Sequence, residues 1–156
     1  VVGAKMSKKI LKRLKYDNET IKKVSLLVEN HLRPHTFKMG WTDSAVRRYI
    51  IDAGGLLEEL NDLVRADITT KNKAKYEEIN KYLDEMEERI KEVAEKEELS
   101  KLRPPLSGDE IMEIFDLEPG PSVGIIMKAL YEQRINDGEV SKEEATKLAK
   151  EVYKKL

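Results

Sequence analysis

Residues 103–130 read RPPLSGDEIMEIFDLEPGPSVGIIMKAL, and their punctuation decides the fold. The proline pair Pro104-Pro105 marks a boundary with whatever precedes it. Ser107 is followed three residues later by Glu110, the spacing of a capping box, so a short helix opens there and runs to about residue 116. The elbow Leu117-Glu-Pro-Gly-Pro then turns the chain into a longer helix over about 121–136, with Pro121 suited to its first turn. Ser141 and Glu144 repeat the capping-box spacing and open a last helix near 141–155.

Upstream the periodicity is also helical. Val2, Met6, Ile10, Leu11 and Leu14 recur at three- and four-residue steps and predict a helix to about Leu14. Asp17 or Asn18 caps a second helix with Ile21, Val24, Leu27 and Val28 on its apolar face, ended by Pro34. A loop over 35–41 follows. Thr42 or Asp43 caps a third helix with Ala45, Val46, Tyr49 and Ile50 inward, stopped by Gly54-Gly55. Leu56–Ala66 is a short fourth helix. Residues of about 71–98 form the longest, a strut with the narrow stripe Ile79, Leu83, Met86, Ile90, Val93 and Ala94. Glu77–Lys81, Glu87–Lys91 and Glu92–Lys96 are candidate i,i+4 pairs along it. No segment alternates with a clean period of two. The expected fold is all-α, a multi-helix array of about seven to eight helices with one long strut and a small C-terminal helical tail. The expected division is 1–70, a connecting helix over 71–100, and a tail over 101–156.

The 156 residues are 40% hydrophobic and 38% charged, enough apolar material for a core beneath a heavily charged surface. There is no cysteine, which excludes disulfides and thiolate metal sites and fits a reducing cytoplasm. No apolar run is long enough for a membrane helix. The start, VVGAKMSKKI, has no signal core, lacks an initiator Met and begins mid-pattern, as a fragment would. The net charge of −1 is unevenly distributed. Residues 1–50 hold 12 Lys and Arg against 4 Asp and Glu, whereas residues 51–100 hold 8 against 15. The basic third is either a solvated surface or the footprint of a polyanion partner.

The chemistry-bearing motifs are sparse. There is no Walker loop, no GxGxxG and no HExxH, and the pattern Asp-x-Asp does not occur, so the carboxylate pair of a two-metal nucleotidyl-transfer centre is missing. His31 and His35 are four apart, but Pro34 breaks the helix between them. Lys8, Lys9, Lys12, Arg13 and Lys15 form a basic cluster across one helix and its end, and Arg47 and Arg48 add planar guanidinium groups suited to phosphate. Trp41, the single tryptophan, either stacks on a base or plugs its loop onto the core. At the elbow, Gly120 is expected to supply an unusual torsion and close backbone approach. Gly120, Ser122 and Gly124 sit where a helix start offers free amides to a phosphate, opposed by the charge of Glu118.

Several strings together resemble one family: GWTDSAVRR from Gly40, LVRADITTKNK from Leu63, the 103–130 segment, and EVSKEEATKLAKEVYKKL from Glu139. They are similar to the carboxy-terminal region of bacterial tRNA nucleotidyltransferases, the CCA-adding and poly(A) polymerase family. The resemblance implies a helical body and tail that binds tRNA, with the catalytic head absent and the chain inactive alone. It implies Mg2+ and ATP or CTP as requirements of the parent enzyme, and no cofactor here. It also likens residues 1–67 to the back part of an HD-type phosphohydrolase domain, with Asp67 and His31 at two positions of its metal pattern and the remaining ligands absent. CCA addition and poly(A) addition are not distinguished by these strings. Three readings follow: a tRNA-holding module that positions the acceptor and T-arm, a phosphohydrolase remnant, and a helical protein-interaction module capable of homo-oligomerisation.

Overall fold

The computed structural model describes residues 2–96 and 103–156. Among the described residues there are eight α-helices, one 3-10 segment and no strand. They are α1 (Val2–Arg13), α2 (Asn18–Asn30), the 3-10 segment (Arg33–Met39), α3 (Asp43–Ala53), α4 (Leu57–Ala66), α5 (Lys73–Lys96), α6 (Gly108–Phe115), α7 (Pro121–Asp137) and α8 (Lys142–Tyr153). The expected end of the strut at residue 98 and the boundary at 100–101 lie outside the described residues. The 3-10 segment replaces part of the expected loop over 35–41. The chain divides into two compact units, residues 1–42 with 48–92, and residues 43–47 with 93–156.

In the first unit, α1 and α2 form a helical hairpin. The Asp17 side chain accepts from the Thr20 amide at 2.8 Å and caps α2. The packed side of α1 is the small one. Ala4 is buried, and a Cβ on Gly3 would lie 3.2 Å from Val28 Cγ1. Small residues let two helices approach closely, and the large apolar residues of α1 fall on another side. Val2, Met6, Ile10 and Leu14 form a ridge that stays exposed, Met6 by 57% and Ile10 by 44%.

The core of this unit comes from α2, α3, α4 and α5, with Ile21, Tyr49, Leu60, Leu83, Met86 and Ile90 buried. Gly54, at φ 58°, ends α3 in the left-handed region, and a Cβ there would meet Leu26 Cδ1 at 3.3 Å. Arg65 of α4 donates to Asp84 at 2.7 Å and to Glu87 at 3.1 Å on α5. That bridge takes Glu87 away from the expected pair with Lys91, which instead approaches Glu88 at 3.9 Å. Glu92 likewise pairs with Arg89 at 2.8 Å.

The second unit closes around Leu106, Ile111, Val123, Ile126, Leu130, Ala145 and Ala149. Both capping boxes are formed, Ser107 with Glu110 and Ser141 with Glu144. Glu110 also accepts from Lys142 Nζ at 2.7 Å, tying α6 to the start of α8. The Lys142 bond, together with those from Ser107, holds the Glu110 carboxyl down at about 2.

Candidate nucleic-acid interface

The basic residues of α1 fall on two neighbouring faces. Lys8 and Lys12, one turn apart, share one face, and Lys9 and Arg13 share the next. All four are exposed. Lys8 and Lys12 line a groove of about 740 Å3 against α2, where Asn18, Lys22 and Ser25 complete the wall. Sequence patterning does not single out Lys22. The signal for it is its place in the first turns after a short connection, which folds it back beside α1. Among the described residues none of these three lysines makes an ion pair, whereas the neighbouring Lys23 is bound by Glu19 at 2.7 Å. Glu29 and Asp52 also line the groove. Asp52 is neutralised by Arg33 at 2.6 Å, so the lysines dominate the local charge. Three ammonium groups around a concave surface attract phosphate as point charges without fixing its orientation.

Arg47 is placed elsewhere. It is only 5% exposed, and its Nη1 donates to the Ile135 carbonyl at 2.6 Å and to the Asn136 carbonyl at 3.2 Å. Both acceptors belong to the last turns of α7, where carbonyls lack helical partners. Arg47 thus caps a helix end inside the second unit and does not offer its fork to a phosphate. Arg48 is half-buried and engaged in polar interactions of its own.

The elbow differs from its expectation in one respect. Gly120 is the N-cap of α7 with φ −179° and ψ −174°, an extended backbone that any residue adopts. A Cβ there would meet only the Glu118 carbonyl, at an ordinary 3.8 Å. The unusual torsion expected of Gly120 is therefore absent. No side chain caps α7, so its first turn, with half-buried Ser122, keeps unsatisfied amides, while the Gly124 amide bonds to the Gly120 carbonyl at 3.3 Å.

His31 and Asp67 sit at helix ends. The His31 amide bonds to the Leu27 carbonyl at 3.0 Å, and its Nδ1 lies 2.9 Å from the Val28 carbonyl. Asp67 is the exposed C-cap of α4. Among the described residues there is no group of three or more His, Asp or Glu side chains disposed to hold a metal ion. No described helix is long and apolar enough to cross a membrane. Trp41 is held on its loop and against α3: its Nε1 donates to Thr36 Oγ1 at 3.0 Å, and its ring packs at 5.7 Å from Phe37 and 5.2 Å from Tyr49, leaving it half-buried.

The described residues are all-helical and present a basic helical hairpin. The family model described as "tRNA nucleotidyltransferase domain 2 putative" matches residues 2–149, and the chain belongs to that family. Among curated relatives, it is 33% identical over 135 residues to an A-adding tRNA nucleotidyltransferase of Deinococcus radiodurans, covering 85% of this chain and 30% of that protein. It is 29% identical over 147 residues to a CC-adding tRNA nucleotidyltransferase of Thermus thermophilus, covering 92% of this chain and 31% of that protein. The chain thus spans about a third of the length of the curated relatives it matches. No solved structure matches it significantly.

Proposed function

We propose that this chain is a tRNA-holding domain of a template-independent tRNA nucleotidyltransferase. It grips the acceptor and T-arm side of tRNA through phosphates, and fixes the reach of a catalytic head supplied by sequence outside this chain. The observation that carries this reading is the groove in which Lys8, Lys12 and Lys22 converge free of internal ion pairs among the described residues. Lys9 and Arg13 on the adjacent face extend the positive surface. The start of α7, with Ser122 and the Gly120 amide, is a secondary phosphate contact that Glu118 weakens, while the Gly124 amide is held within the helix. Mg2+ and ATP or CTP belong, in this reading, to the head, and the setting is the cytoplasm.

The test is binding of labelled tRNA across a salt series. If about four phosphates are neutralised, log affinity falls against log salt with a slope of roughly −3 to −4. Incubation with tRNA lacking its 3′ end, Mg2+, ATP and CTP should give no extension above a no-protein control. Extension by this chain alone would overturn the assignment of chemistry to another segment.

One observation favours a second reading, a protein-interaction module. The Val2–Met6–Ile10–Leu14 ridge is exposed along the whole of α1, and contiguous apolar surface marks interaction sites. Concentration-dependent self-association without RNA, abolished by Ile10→Ser, would support it.

A further inference from the structure

A second cavity, of about 640 Å3, lies in the first unit between the 3-10 segment and α5. Its size falls within the roughly 300–1,000 Å3 of small-ligand clefts. Three aromatic side chains wall it, Phe37, Trp41 and Tyr82, from a chain whose aromatic content is only 6%. The wall is held rigid: Trp41 is fixed by its hydrogen bond to Thr36 and by ring contacts on Phe37 and Tyr49. Lys38 caps the Tyr82 ring with its Nζ 4.9 Å from the centroid and pairs with Glu78 at 2.5 Å, which neutralises both charges. Lys81, Glu85 and Arg89 remain on the α5 side, and among the described residues neither Lys81 nor Glu85 makes an ion pair.

We propose that this cavity takes one unpaired nucleotide of an RNA strand, its base against the half-buried Trp41 and Phe37 and its phosphate at Lys81. Aromatic walls accept any base through its π face. The carboxylate of Glu85 only accepts hydrogen bonds, so it favours bases with an exocyclic amino group over uracil, whose single N3–H donor is flanked by two carbonyl oxygens that repel it. Arg89, already bound to Glu92, adds positive potential at the same rim. The inference rests on the RNA-holding reading and gives it a second contact, distinct from the Lys8–Lys12–Lys22 groove.

Trp41 is the only tryptophan, so its fluorescence reports this cavity directly. The probes are a short single strand of A and C, a uridylate strand of equal length, and the first strand paired to its complement. The A and C strand should quench Trp41 saturably, the uridylate strand should bind more weakly, and the duplex should leave the emission unchanged. Lys81→Glu, at an exposed position, should weaken single-strand binding by roughly tenfold without lowering the melting temperature. Glu85→Gln should reduce the preference against uracil. Full-length tRNA that binds by anisotropy while no strand quenches Trp41 would overturn the cavity and leave the RNA-holding reading intact. Quenching by an arginine-rich peptide and not by RNA would overturn it in favour of a cation pocket. Quenching by the A and C strand in a protein that fails to bind tRNA would uphold the cavity and count against the wider reading.

Discussion

Helices α1 and α5 carry apolar residues at similar helical spacings and bury them differently. On α5, Leu83, Met86 and Ile90 lie in the core. On α1, Val2, Met6, Ile10 and Leu14 face outward, and Gly3 and Ala4 make the contact with α2. Spacing establishes that a segment is helical, but the side that packs is set by what the partner helix can accommodate. A glycine and an alanine let α2 come close, which a row of large side chains would prevent. The rest of α1 is then free to carry an apolar ridge on its outward side and a basic face beside α2, and the second of these is the proposed RNA contact.

Paired substitutions of one residue type sharpen this contrast most. Met86→Ala should cost about 2–5 kcal/mol, because it opens a cavity at a fully buried position. Met6→Ala should stay within about 0.5 kcal/mol. Urea denaturation of both variants checks this, and comparable losses would mean that the α1 ridge is covered in solution. Arg47→Ala comes next. It strips a charged donor from two α7 carbonyls and should cost about 1.5–3 kcal/mol with no loss of salt-dependent RNA affinity beyond that due to unfolding.

The helix ends of the second unit provide the next contrast. Ser107→Ala removes the N-cap of α6 and should cost about 1 kcal/mol. Glu110 sits in the same box with its carboxyl held down at about 2, first by Lys142 and then by Ser107. A depressed carboxylate stabilises the fold above its ordinary value near 4.5 and loses that contribution as pH falls towards about 2. Glu144, lowered by Ser141, acts in the same direction. The melting temperature should fall across that window, and Glu110→Gln should flatten the fall. The smallest effect at these helix ends is expected at Gly120→Ala, roughly 0.5–0.7 kcal/mol, because alanine is the poorer N-cap while the backbone there is extended and the added methyl meets no close neighbour.

What is legible in the sequence is local. Asp17, both Ser–Glu boxes and Gly54 act within three or four residues of themselves, so capping and stop signals locate those helix ends directly. What is not legible depends on distant partners. Arg47 reads as a phosphate ligand until carbonyls 88 and 89 residues away are folded beside it. Glu87 reads as a partner of Lys91 until Arg65, 22 residues earlier, reaches it. Lys22 looks like one more solvated lysine until the hairpin folds it beside Lys8 and Lys12. Gly120, between two prolines, suggests a special torsion, but the N-cap of α7 needs only extended backbone.

The central claim is that the α1–α2 groove holds RNA phosphate. Its most direct test is the salt dependence of tRNA binding by a variant with Lys8, Lys12 and Lys22 all changed to Glu, set beside the unaltered protein. All three positions are exposed, so circular dichroism should show the fold intact. The groove account predicts much weaker binding of the variant at low salt. It also predicts a slope shallower than the parent's roughly −3 to −4, by about 0.7–0.9 for each phosphate that is no longer neutralised. A folded variant with the parent's affinity and slope would contradict it and remove the groove from the interface.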